Sequence, residues 1–138
     1  MRYLLAMPIL CAMLTGCATP PPVLGTFTLE PGQDLLVASD TMLHFDGVDD
    51  SRCPPGVHCI WAGRLGYRFA IRRAGTTLDS FELSPGQPQA APAALGGRRV
   101  LLDTAMLTPP PAPGMTVAYR ATLTIAPTDS SSTPYKTP

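Results

Sequence analysis

Arg64-Leu65-Gly66-Tyr67-Arg68-Phe69-Ala70-Ile71-Arg72-Arg73 is the stretch on which the fold turns. Leu65, Tyr67, Phe69 and Ile71 recur at every second position, with Arg64, Gly66, Arg68, Ala70 and Arg72 between them. A period of two sends successive side chains to opposite faces of an extended chain. The stretch therefore predicts a strand with one face on a core and an arginine face in water. Val117 to Ile125 repeats the pattern, with Val117, Tyr119, Ala121, Leu123 and Ile125 inward and Ala118, Arg120, Thr122 and Thr124 outward. One-sided strands of this kind belong to antiparallel sheets.

Shorter runs on either side extend the prediction. Thr26 to Glu30 alternates around Phe27 and Leu29 and runs into Pro31-Gly32, a turn pair. Leu35-Leu36-Val37, Met42 to Val48, Thr76 to Leu83 and Val100-Leu101-Leu102 are further short strands, and Ala74-Gly75 is a hairpin turn ahead of Thr76. Ser84 to Gly97 reads as a long loop, and the prolines between 109 and 113 bar that segment from a central strand. Seventeen prolines and twelve glycines favour turns over long helices. The expectation is an all-β chain, an antiparallel β-sandwich or open barrel of about seven short strands, forming one β domain over residues 25–126.

The ends read differently. Met1-Arg2-Tyr3 sets one positive charge ahead of an almost wholly apolar run, Leu4 to Leu14. At ~1.5 Å per residue, that run as a helix covers about half of a ~30 Å hydrocarbon core. It is too short to span a bilayer and fits the apolar region of an export signal. It closes on Leu14-Thr15-Gly16-Cys17, which resembles the lipobox of bacterial lipoproteins: an aliphatic residue, two small ones, then cysteine. The resemblance implies a signal peptide over 1–16, cleavage before Cys17 and a lipid on the Cys17 thiol. The partner it implies is a membrane, and the location a cell envelope. Ala18 rather than Asp in the next position implies the outer membrane, facing the periplasm, in a Gram-negative cell. Residues 17–24 become a lipidated tether. Its Pro20-Pro21-Pro22 favours extended polyproline geometry, with a reach of roughly 22 Å. Residues 127–138 are polar, with little to bury, and predict a disordered tail.

Of the four cysteines, Cys11 falls in the leader and Cys17 takes the lipid. Cys53 and Cys59 remain, an even pair in an oxidising compartment, and predict a disulfide. Their five intervening residues do not match the two-to-four spacing of zinc knuckles, and no second pair follows. They lie in Asp49-Asp50-Ser51-Arg52-Cys53-Pro54-Pro55-Gly56-Val57-His58-Cys59-Ile60-Trp61-Ala62-Gly63. From Asp50 to Gly63 this resembles a group of small bacterial secreted proteins and lipoproteins. In these, Asp-Ser-Arg-Cys-Pro precedes a second cysteine, Trp-Ala-Gly and an alternating strand. The resemblance implies no activity. Physically the segment reads as a stapled corner. Pro54-Pro55-Gly56 turns the chain inside the ring, and Trp61 is expected to cover the bridge with its apolar face. Gly63 is expected where backbones come close. Arg52 is expected to form an exposed ion pair with a neighbouring carboxylate, worth ~0–1 kcal/mol.

The chemistry-bearing residues are sparse. No nucleophile elbow, His-Glu-x-x-His or phosphate-cradling glycine loop occurs, and His44 and His58 are the only histidines. The expectation is a protein that is not an enzyme and needs no cofactor. Loss of Arg2 with the leader leaves nine basic against ten acidic side chains, a formal charge of −1, so no strong field draws in nucleic acid. The candidate anion-binding face is Arg64, Arg68 and Arg72, four residues or ~13 Å apart along one strand face. It suits an anionic envelope component. The disulfide loop is a candidate recognition loop for a protein partner. The leading expectation is thus a membrane-anchored lipoprotein with a non-catalytic binding or interaction domain. The alternative is a periplasmic metal-binding protein using His44, Asp46 and His58, because imidazole plus carboxylate suits zinc or copper.

Overall fold

The arginine-faced stretch forms the strand Leu65–Arg73, paired on both sides within a four-stranded sheet. In the computed structural model, residues 23–128 are described. The leader, Cys17, the tether up to residue 22 and the tail from residue 129 lie outside the described residues. The strands are β1 (Gly25–Leu29), β2 (Asp34–Ala38), β3 (Thr41–Asp50), β4 (Leu65–Arg73), β5 (Thr76–Leu83), β6 (Gln89–Ala90), β7 (Arg98–Leu102) and β8 (Ala121–Pro127). They form two antiparallel sheets, β1-β8-β7-β6 and β2-β3-β4-β5. The inner faces of both sheets share one apolar core, so the arrangement is a sandwich rather than an open barrel.

Leu65, Tyr67, Phe69 and Ile71 of β4 fill the middle of that core with Leu43 and Phe45 of β3, Val100 of β7 and Leu123 and Ile125 of β8. Phe45, Phe69 and Phe81 stack across β3, β4 and β5, with ring centroids 4.8 Å and 5.5 Å apart. The β3–β4 ladder has one irregularity. Phe45 pairs with Phe69, but Gly47 pairs with Arg68, so β3 carries an extra residue at Asp46. This bulge reverses the inside-outside parity of the rest of the strand. Val48 then opposes Tyr67, and Asp50 opposes Leu65, on the core side.

The eight strands agree with the expected sandwich of about seven, but three expectations need correction. Ser84 to Gly97 is not all loop: it holds β6 and a 3-10 turn, Ala93–Leu95, whose Leu95 enters the core. The second alternating strand begins at Ala121, not Val117, and it continues through Pro127. Val117 and Tyr119 keep the inward parity as half-buried side chains, but the proline-rich connection holds them out of the sheet. Leu36 is half exposed on the outside of β2, so Leu35-Leu36-Val37 alternates instead of being buried throughout.

The sandwich has two distinct ends. Thr41 pairs with Arg73 at one end of the β3–β4 ladder and Asp50 with Leu65 at the other. Leu24 and Pro127 lie at the Thr41 end, around a depression of about 360 Å³ shared with Arg73, Leu95 and Arg98. The segment joining β3 to β4, with both cysteines, lies at the Asp50 end. β3 has ten residues, and at ~3.3 Å each the ends are roughly 30 Å apart.

Candidate functional site

The β3–β4 connection is closed three times. The Cys53–Cys59 disulfide is formed, with Cα atoms 5.8 Å apart. Below it, Ser51 and Arg64 form a neck: the Ser51 amide donates to the Arg64 carbonyl at 2.9 Å, and the Arg64 amide donates to Ser51 Oγ at 3.0 Å. Gly63 makes the neck possible. Its φ is +69°, and a Cβ there would overlap the Ser51 carbonyl. Close approach of backbones is what the sequence led one to expect of this glycine.

The third closure is a latch at the foot of the loop. Because the bulge turns Asp50 inward, its side chain is only 5% exposed. Arg52 grips it with a two-pronged pair, Nε to Oδ1 at 2.9 Å and Nη2 to Oδ2 at 2.7 Å. The same Nη2 donates to the Thr108 carbonyl at 2.8 Å, and the Tyr119 hydroxyl donates to Asp50 Oδ2 at 2.9 Å. Hydrogen bonds from Arg52 hold the Asp50 carboxyl down at about 2, outweighing burial, which acts the other way. Burial and the bond to Asp50 push the Tyr119 pKa up, so it stays a donor. The expected exposed pair is therefore a half-buried network, and it fastens the proline-rich connection 103–120 to the loop. The sequence set Arg52 beside Asp49 and Asp50 without choosing between them. Nothing local signalled Thr108 and Tyr119, which reach the latch from 56 and 69 residues away.

Above these closures the loop is open to solvent. Trp61 does not cover the bridge: it is 80% exposed, Ile60 beside it is 90% exposed, and Val57 is exposed within the ring. The neck explains the reversal, because Gly63 and Ser51 seat the chain so that residues 60 and 61 project beyond the last sheet pair. A shallow depression of about 400 Å³ lies below, between the Ala62–Leu65 stretch and Ser84-Pro85-Gly86, with Arg52 at its edge.

The arginine face is interleaved with acids. Arg64 lies 3.1 Å from Glu82 and 3.8 Å from Asp49, and Arg72 lies 3.1 Å from Asp46. Glu82 reaches across β4 over Gly66, where any side chain would meet its carboxylate. Arg68 shares a shallow depression with Asp46 and Glu82. The metal candidates separate. His44 and Asp46 share the outer face of β3, with His44 Nδ1 2.7 Å from Asp34 and Nε2 3.6 Å from Asp46. His58 is exposed in the disulfide ring. Among the described residues, no group of three or more His, Cys, Asp or Glu is placed to hold a metal ion. No helix among them is long and apolar enough to cross a membrane. Comparison with protein families, curated proteins and solved structures finds no match to this chain.

Proposed function

We propose that the chain is an envelope lipoprotein, anchored through Cys17, whose β-sandwich carries a non-catalytic binding loop at Cys53–Gly63. The observation that carries this reading is the pair Ile60 and Trp61, almost fully exposed on a loop closed by a disulfide, a neck and a latch. Single exposed apolar residues are ordinary, but adjacent large ones on a rigid projection mark a contact surface. Rigidity serves binding because the ordering cost is met on folding rather than on association. The arginine face is the weaker candidate, since Arg64 and Arg72 already face carboxylates.

Co-sedimentation of the mature domain, begun after Cys17, with envelope membranes tests the reading. Wild type and the Arg68→Ser/Arg72→Ser variant are expected to pellet alike at low salt. The Ile60→Ser/Trp61→Ser variant is expected to stay in solution while keeping its circular dichroism. Equal pelleting by wild type and the loop variant would overturn the reading.

A further inference from the structure

Resting on that reading, we propose that the loop's partner is a membrane-bound envelope protein whose apolar cleft stands in the aqueous compartment, away from the bilayer that holds the anchor. Three observations on the molecule carry the choice.

The first is topological. Val23 and Leu24 enter the sandwich at the Thr41 end, where the Val23 amide donates to the Val37 carbonyl at 3.3 Å. Cys17 precedes Val23 by six positions, a reach of roughly 20 Å as polyproline chain. Ile60 and Trp61 lie beyond the opposite end, roughly 30 Å further along the strands. A domain standing on this tether holds the tip away from its own bilayer, so insertion into that bilayer is not what the geometry favours.

The second is chemical. Between Cys53 and Gly63 there is no acidic residue, no amide side chain and no hydroxyl, and His58 is the sole titratable group outside the bridge. A polysaccharide needs an array of directional hydrogen-bonding side chains beside an aromatic platform. Here the tip offers Ile60, Trp61 and Val57, the composition of an anchor that fills an apolar pocket.

The third is area. A large aromatic side chain buries on the order of 150–250 Å², so three residues of which only Trp61 is aromatic and Val57 is half exposed offer less than about 750 Å² together. A symmetric dimer needs about 800 Å² from each copy, which two tips facing each other do not supply. A cleft that closes around the tip, drawing in its flanks, does.

The test uses the full-length lipidated chain. In cells, a photo-crosslinking amino acid is placed at position 60 and, as a control, at the exposed position 36 on β2. In vesicles of phosphatidylethanolamine and phosphatidylglycerol carrying brominated chains, the emission of Trp61, the chain's only tryptophan, reports lipid contact directly. The proposal expects a discrete protein adduct from position 60 and none from position 36. Its yield should drop at least roughly tenfold when Cys53→Ser/Cys59→Ser frees the loop, and Trp61 emission should be unquenched by the lipid. Quenching of Trp61, adducts only to lipid or glycan, an adduct of twice the chain's own mass, or no adduct at position 60 would each overturn it. Those outcomes differ from failure of the underlying reading, which is shown by pelleting that does not depend on Ile60 and Trp61.

Discussion

Asp50 is a carboxylate turned into the sandwich by a single extra residue in β3, and three side-chain bonds from Arg52 and Tyr119 keep it charged there. Its folded pKa of about 2 lies below the ordinary 3.8. The latch therefore contributes stability in full above pH 4, and that contribution is lost as pH falls from about 4 towards 2. Arg52→Ala removes the main donor and leaves the carboxylate buried with Tyr119 as its remaining side-chain donor. The expected cost is on the order of 2–3 kcal/mol in urea unfolding at pH 7. The variant should also lose less stability between pH 4 and pH 2 than wild type does. Parallel pH profiles for the two proteins would refute the role given to Arg52. A pair between Arg52 and an adjacent carboxylate was visible in the sequence, but not that the carboxylate is Asp50 rather than Asp49. Its burial was not visible either, because the bulge that inverts the parity of β3 interrupts the alternation without leaving a mark in it. For the same reason Asp50 looked like one more solvated acid beside Asp49.

At the level of elements, β4 and β5 were legible from alternation and β-branched or aromatic content alone, and Ala74-Gly75 was legible as their turn, both with positive φ. The β3–β4 connection was legible as a disulfide ring but not as a projection. Trp61 was expected over the bridge because it is large and apolar, and only the long-range neck shows that it projects into solvent instead. A disulfide closing a seven-residue loop of this kind stabilises by about 2.4 kcal/mol through the unfolded chain. Cys53→Ser/Cys59→Ser is expected to lower stability by about that amount while leaving both sheets intact. The Ser51–Arg64 neck and the Asp50–Arg52 latch still bind the foot of the loop. Hydrogen exchange should rise over residues 53–62 and hold steady in β3 and β4. Loss of protection throughout β4 would show that the disulfide, not the core, organises that sheet.

At the scale of the whole molecule, an antiparallel β fold around one core was readable as a class, since one-sided strands bury their apolar faces against another sheet or, closed as a barrel, against one another; the choice between the two was not readable. Beyond the β4–β5 hairpin, which strands neighbour one another was not readable. β1 lies beside β8, and β5 gives way to β6 in the other sheet, pairings that depend on contacts far apart in sequence. The proposed anchor belongs to this scale too, because it sets which end faces a membrane. Mass spectrometry of the membrane-bound protein is expected to find an acylated N-terminal Cys17, and an unmodified Cys17 in soluble mature protein would remove the anchor. The paired bonds between Ser51 and Arg64 have one further consequence. They join the two sides of the loop below the ring, so the residues above them answer to the sandwich only through that junction and the Arg52 latch. The stretch from 54 to 62, apart from Cys59, is therefore an exchangeable cassette. Its sequence can drift under selection for a changing target, or be replaced by a grafted peptide, without renegotiating the packing that keeps the scaffold folded.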